Sequence, residues 1–343
     1  ASITLIFFYL VWIIAPMFAP AKITPAGVFD LNIADPIYLD ASENIEIGAA
    51  FSASGDIQFW NLANGETIAR QSVGRPLQRV IPIQPATATY GLIDPEGNFM
   101  IMTASYPVAF SGEERRIDAR LDPLFDDDWL PLSIQGNVQA YFEADRLVIA
   151  EVSDELIVRY FPEAEADLPL VKPRVARLSL PARFEHLRFG PRGRLLFLMD
   201  RAGRLLIVEL NRMGAPTLAI EQQLLPPGAG VTAAEVLVGG YSLMLAGTDN
   251  SLTQWFATTT NGQLQPIRRF EFDSEIRQIL PEPRRKGLVV IDDEGHMHLL
   301  HTTSNRIMAE YTLSNGVNQV TALSPRADLL LRIGNRGAVH SYQ

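Results

Sequence analysis

One short unit recurs seven times along this chain, and that repeat narrows the possible folds more than any other feature. The unit is a β-branched or aliphatic run, a tight turn built from Gly, Asp or Asn, and a second alternating run. It reads first as IGAAFSASGDIQFWNL, turning at Gly55-Asp56, then as ATYGLIDPEGNFMIMTA, turning at Glu96-Gly97. DRLVIAEVSDELIVRYF turns at Ser153-Asp154, and GRLLFLMDRAGRLLIVEL turns at Ala202-Gly203. YSLMLAGTDNSLTQWF turns at Asp249-Asn250, KGLVVIDDEGHMHLLH at Glu294-Gly295, and ADLLLRIGNRGAVHSYQ near Arg336-Gly337. Gly and Asn tolerate the positive φ that a two-residue hairpin needs, so each unit reads as a pair of antiparallel strands.

Successive turns lie about 42 to 57 residues apart, the period of a four-stranded propeller blade. A further strand is expected ahead of several hairpins, at 77–83, 184–189, 232–238, 276–280 and 317–323, and an outer strand behind some, at 67–71 and 306–312. Leu195, Phe197 and Met199 alternate, as do Leu243, Leu245 and Gly247, which predicts one buried face per strand. The final unit offers three strands before Gln343, and residues 27–33 are the expected fourth. Closing a ring with strands from both ends abolishes a free edge. The expected fold is therefore all-β, a seven-bladed, WD-like β-propeller over residues 23–343.

The two longest intervals coincide with polar insertions at 106–129 and 162–181. They hold the charge runs Glu113-Glu114-Arg115-Arg116 and Asp126-Asp127-Asp128, which read as solvated loops, with a docking surface as the competing use.

Residues 3–18 read ITLIFFYLVWIIAPMF, and no charge occurs before Lys22. Counted through Ala21, the uncharged stretch would span about 30 Å as a helix, the thickness of a hydrocarbon core. Tyr9 and Trp12 sit within it, and Pro16 and Pro20 mark its exit. A signal peptide would carry a basic leading region, and none precedes this stretch. Residues 1–22 are expected to form a transmembrane helix lacking its upstream part. No Lys or Arg occurs between Ile23 and Ala69, whereas Asp30, Asp35, Asp40, Glu43 and Glu46 do. Cytoplasmic flanks are enriched in Lys and Arg, so the body of the chain is expected on the external side.

The remaining chemistry is sparse. Asp plus Glu outnumber Lys plus Arg by 39 to 29, a net charge of −10, so no positive field exists to attract nucleic acid. The chain has no cysteine, which excludes disulfides, thiolate metal sites and Cys nucleophiles. None of the common hydrolase, metalloprotease, dinucleotide or phosphate-loop motifs occurs, so no catalytic and no cofactor-binding residue is assigned. His296, His298 and His301 form the main His cluster. On a strand the first two share a face and the third points away, with no Asp-His pairing to help, so no metal ligand is assigned. Asp292, Asp293 and Glu294 are read as turn residues. Trp60, followed by Asn61 rather than the Asp of a WD signature, is read as packing between blades. Arg284-Arg285-Lys286 could meet a phosphate or lipid head group, but reads first as a solvated loop; Met213-Gly214 and 227–230 are isolated loop glycines.

LIFFYLVWIIAPMFAPAKI at 5–23, HLLHTTSNRIMAEYTL at 298–313 and ALSPRADLLLRIGNRGAVHSYQ at 322–343 give the chain a resemblance to the PstC-type permease of phosphate ABC transporters. In such permeases a large extra domain follows the first transmembrane helix. The resemblance implies an accessory periplasmic propeller at a bacterial inner membrane, acting in protein interaction or regulation of phosphate import. Its partners would be the ATPase, a second permease and a periplasmic phosphate-binding protein. Because no pore helix is present, no transport residue carries over to this sequence. The competing expectations are a membrane-anchored scaffold of the cell envelope and a propeller enzyme, and no motif supports the latter.

Overall fold

The computed structural model describes residues 21–343, apart from 85–86, 113, 127–128, 212–214, 258–261, 285–286, 314–318, 326–327 and 335–336, together with Ile6, Phe8, Tyr9, Val11, Trp12 and Ile13. A first strand, β1 (Pro25–Asp30), precedes the first blade, which is β2 (Pro36–Ala41), β3 (Ile47–Ser52), β4 (Asp56–Asn61) and β5 (Thr67–Ser72). The second blade uses β6 (Arg79–Gln84), β7 (Thr89–Ile93) and β8 (Phe99–Ser105). A separate hairpin, β9 (Val108–Ser111) and β10 (Glu114–Ile117), interrupts it before its outer strand β11 (Arg120–Pro123). The third blade is β12 (Asn137–Glu143), β13 (Arg146–Val152), β14 (Glu155–Phe161) and β15 (Arg174–Ser179). The fourth is β16 (His186–Phe189), β17 (Leu195–Met199), β18 (Arg204–Glu209) and β19 (Thr217–Gln223). The fifth is β20 (Val231–Val236), β21 (Ser242–Gly247), β22 (Ser251–Ala257) and β23 (Leu264–Glu271). The sixth is β24 (Ile276–Pro281), β25 (Gly287–Asp292), β26 (His296–His301) and β27 (Arg306–Thr312).

The seventh blade is β28 (Val320–Leu323), β29 (Leu330–Ile333) and β30 (Ala338–Tyr342), and its outer strand is β1 from the opposite end of the chain. Pro25 pairs with Tyr342 and Asp30 with Ala338, and beyond that register Thr24 and Gln343 exchange two backbone hydrogen bonds of 2.7 and 2.9 Å. The closing strand is thus Pro25–Asp30 rather than 27–33. The innermost strands contact one another in turn, and the circuit closes where β28 meets β2. This is the seven-bladed propeller expected from the repeat.

The core is divided into seven apolar clusters, one between each pair of neighbouring blades. That division corrects the expectation of one buried face per strand. Second strands such as β3, β7, β21 and β25 are buried along their whole length, because each blade is sandwiched between two others. Outer strands β5, β15, β19 and β27 alternate between exposed and half-buried, as an edge must. Trp60 packs between the seventh and first blades with Leu39, Leu331 and Val339. Gly48 makes room for it: a Cβ there would lie 2.3 Å from the indole ring.

The insertions differ from the solvated loops expected. Within 106–129 lie β9, β10 and the outer strand β11, and within 162–181 lies β15. Arg115, on β10, makes a two-pronged ion pair with Glu46 of the first blade at 3.0 and 2.8 Å. Glu113, Asp127 and Asp128 lie outside the described residues. So does most of the apolar stretch 3–18; Ile6, Phe8, Tyr9, Val11, Trp12 and Ile13 are helical and exposed. Among the described residues, no helix is long and apolar enough to cross a membrane.

Candidate functional site

A four-stranded meander puts its connections at two ends, and the ring sorts these into two faces. The turns between second and third strands share one face, the turn face, with the links that lead from an outer strand into the next blade. The connections from first to second strand, and from third to outer strand, share the other. That second face also holds Thr24 and Gln343, which makes it the terminal face.

The turn face is organised by a carboxylate at the head of each of three hairpin turns. Asp94 Oδ1 accepts the backbone N–H of Glu96 and Asn98 at 2.9 and 2.8 Å. Asp200 Oδ1 accepts those of Ala202 and Arg204 at 2.9 Å each. Asp292 Oδ1 accepts those of Glu294 and His296 at 3.1 and 2.7 Å. The shared spelling is Asp-x-x-Gly-x, and the Gly takes the positive φ the turn needs, +80° at Gly97. This signal was present in the sequence, and reading the turns by their central pair alone missed it. Burial opposes ionisation of Asp94 and Asp292, but the hydrogen bonds each accepts outweigh it, so both carboxyls are held below the ordinary value.

The His cluster lies at the edge of this face. His296 and His298 do share a side of β26, with ring centroids 6.4 Å apart, and His301 turns away to Thr303. The expectation of no carboxylate partner is corrected. His296 Nδ1 lies 3.0 Å from Asp292 Oδ2, and His298 Nδ1 lies 2.9 Å from Glu310 Oε1. The second contact spans paired strands, so local spacing does not show it. His298 is also edge-on to Phe272 at 4.9 Å, and its Nε2 is buried without a hydrogen-bond partner. An open pocket of about 400 Å³ runs past Asp273, His296, Glu310 and Thr312. Among the described residues, no three His, Asp or Glu side chains converge as metal ligands would. Asp292 ends β25, and Asp293 and Glu294 form the turn, as expected.

The mouth of the central channel on the turn face is lined by Arg79, Asn137, Glu185, His186 and Arg188. Arg79 donates to Gly136 O at 3.1 Å and Asn137 to Glu185 O at 2.5 Å. Arg188 pairs with Glu235 through Nε to Oε2 at 2.8 Å and a second shorter contact, tying blades four and five. Arg79, Asn137 and Arg188 are thus taken up by backbone carbonyls and Glu235, and no nucleophile–base–orienter chain is formed among the five. A further pair anchors the long link before the third blade. Glu151 Oε1 accepts the N–H groups of Gln135 and Gly136 at 2.7 and 3.0 Å, and its Oε2 meets Arg159 at 3.0 Å, both side chains being buried.

Between blades one and two, Asp40 is buried, accepts a hydrogen bond from the Tyr90 hydroxyl, and takes the Ala41 N–H at 2.8 Å. Burial raises its carboxyl to about 6, although both hydrogen bonds oppose the rise. Tyr38, Phe51 and Tyr90 meet edge to face around it.

The terminal face is different in kind. Arg284 makes a two-pronged pair with Glu43 at 2.9 and 3.0 Å, crossing from blade six to blade one; Arg285 and Lys286 lie outside the described residues. Met213 and Gly214 also lie outside them. The 227–230 segment joins blades four and five on the turn face, where Gly230 N–H donates to Thr248 Oγ1 at 2.9 Å.

The fold and the closing strand place the chain in one class: it is a seven-bladed β-propeller. It is similar to the crystal structure of the Myceliophteria thermophila Cps50 (Swd1) β-propeller domain, with a TM-score of 0.62 and 9% identity over 93% of this chain and 99% of that one. Chaetomium thermophilum Raptor is also similar, with a TM-score of 0.60 and 12% identity over 94% of this chain and 29% of that one. At such identities the likeness is one of fold. No family model matches the chain, and no curated protein matches it in sequence.

Proposed function

We propose that this chain is a non-enzymatic protein-interaction propeller held at a membrane by its N-terminal apolar segment. The observation that carries the reading is the junction at Thr24 and Gln343, which fixes the exit of that segment to one face of a closed ring. The helical residues beyond it expose Phe8 and Trp12 by 65% and 80%, far more apolar surface than a monomeric domain keeps in water. A ring that presents many separate loops on each face suits recognition of a protein partner.

A narrower reading makes the propeller the accessory periplasmic domain of a phosphate ABC permease at a bacterial inner membrane, in contact with the ATPase, a second permease or a periplasmic phosphate-binding protein. Supporting it are the sequence phrases at 5–23, 298–313 and 322–343 and the paired ends, since a domain inserted between two membrane helices must return the chain to where it left. The test of tethering is alkaline extraction of membranes carrying the full-length gene product, with and without residues 1–22. The product should stay in the membrane pellet and lose that retention, unless further spans follow, when the segment is removed. Release of the intact product by carbonate overturns the tether. Cross-linking from the ring in intact cells then separates the readings: recovery of transporter subunits supports the permease, and recovery of other envelope proteins alone supports the scaffold.

A further inference from the structure

Exposed apolar side chains are distributed unequally between the two faces. On the outermost strands they are spread around the rim, at Val28, Val175, Leu218, Ile267, Ile307 and Met308. Apart from these and the N-terminal helix, the exposed large hydrophobics are Val108, Phe110, Leu168, Val171, Val238, Tyr241 and Phe256. The chain path puts five of them at one end of the ring. Val108 and Phe110 belong to the hairpin inserted between β8 and β11. Val238 and Tyr241 lie in the turn between β20 and β21, and Phe256 is next to the end of β22. These are connections of the terminal face. Leu168 and Val171 belong to the link between β14 and β15, which folds back along the rim: Leu168 O accepts the Asp126 N–H at 3.2 Å, and the Asp167 N–H donates to Leu124 O at 2.9 Å. Among the described residues, no exposed large hydrophobic lies in a loop of the turn face.

Charge is divided less unequally. The turn-face loops present exposed Asp35, Glu96, Asp154, Asp273 and Glu294, with Arg75, Arg183 and Arg201 among them. On the terminal face, Arg284 and Arg115 are offset by Glu43 and Glu46, while the short turn after β16 offers Arg192 and Arg194 with no acid of its own. The terminal face has exposed acids too, Glu66, Asp118, Glu143 and Asp145, so the two ends differ chiefly in apolar surface: one is polar, and the other carries apolar points on blades two and five. A lone protein partner would favour one contiguous patch; separate apolar tips around a ring, with arginines beside them, match a planar lipid surface. The apolar N-terminal helix joins the ring at this same end.

We propose that the terminal face rests on the lipid head-group layer, with the β9–β10 hairpin and the 238–241 turn dipping into it. Phe110, 70% exposed, and Tyr241, 48% exposed, are aromatic residues of the type that settles at a membrane interface. The polar turn face then points away from the lipid and is left open to protein partners. The inference rests on the membrane-tethered reading and adds an orientation to it.

The chain has no cysteine, so single-cysteine probes can be placed without background. An environment-sensitive fluorophore is attached in turn to F110C, V238C and Y241C, and to E96C, D154C and E294C on the turn face, in the full chain reconstituted into phosphatidylcholine–phosphatidylglycerol vesicles. Flotation reports the tether; blue shift and quenching by spin-labelled lipid report the face. The first three sites should blue-shift and be quenched several-fold more than the second three. Flotation with no quenching at the first three, or with equal quenching at all six, overturns the orientation and leaves the tether standing. Loss of flotation overturns both. A blue shift at the first three that grows with protein concentration in detergent alone also overturns it, because the face would then bind a second copy of the chain.

Discussion

Replacing Asp40 with Asn should stabilise the ring at neutral pH and do nothing at acid pH. Asp40 is 8% exposed, between blades one and two, and its carboxyl is raised from 3.8 to about 6 by burial. Because the folded value lies above the unfolded one, the native state holds its proton more tightly than the unfolded chain. No penalty exists below about pH 4, where both states are protonated. It grows between pH 4 and 6 and is fully present above 6, where folding must bury a charge. A shift of about two units corresponds to about 3 kcal/mol at pH 7.5. The amide introduced by D40N would keep an acceptor for the Ala41 N–H and a polar group against the Tyr90 hydroxyl, without a charge to desolvate. The assay is urea unfolding followed by tryptophan fluorescence across pH 4 to 8, comparing midpoints and slopes. The advantage of D40N should be near zero at the acid end and rise to a plateau above pH 6. A flat difference across that range, or a less stable variant at pH 7.5, would refute the reasoning. D40A serves as the contrast: it leaves the Tyr90 hydroxyl without its acceptor and should lose about 1–3 kcal/mol below pH 4, a loss that removal of the buried charge offsets above pH 6, so it should lie below D40N at every pH.

Three further outcomes follow from the packing. Glu151→Ala leaves Arg159 buried without its carboxylate and should cost about 3–5 kcal/mol, with faster hydrogen exchange at the amides of Gln135 and Gly136. Gly48→Ala forces a methyl group against Trp60, and a loss of about 1–3 kcal/mol with a changed tryptophan emission is expected in thermal unfolding. Deleting residues 1–30 removes β1 and bares the edge of β30, so light scattering should show association that an intact ring does not, while deletion of 1–22 should leave the ring monomeric in detergent.

The seven hairpins were legible because each is held by groups a few residues apart: apolar strands flanking a tight turn, with a Gly or Asn at positive φ in every turn but Ser153-Asp154. Five of the seven predicted turns fall between the observed strands, the first overlaps β4 at Asp56, and the last is interrupted by Arg336, outside the described residues. The outer strands were harder. Arg174–Ser179 and Arg120–Pro123 are exposed edges with charged side chains, and what makes them strands is the neighbour they pair with. Arg115 on β10 looked like part of a solvated run because its partner, Glu46, is 69 residues away. Burial on both faces of the second strands was equally invisible, since it requires the next blade. At the candidate site, the Asp-x-x-Gly turns were fully local, whereas the His298–Glu310 pair and the sorting of apolar loops to one face depend on the chain path.

The closing strand also decides how the ring would fail under a pull. Thr24 and Gln343 sit at the same end of the β1–β30 pair. Tension between them would load the backbone bonds one after another, as in a zipper, rather than all at once in shear. The ring should therefore open at low force between its own ends, shedding one strand and leaving six whole blades behind.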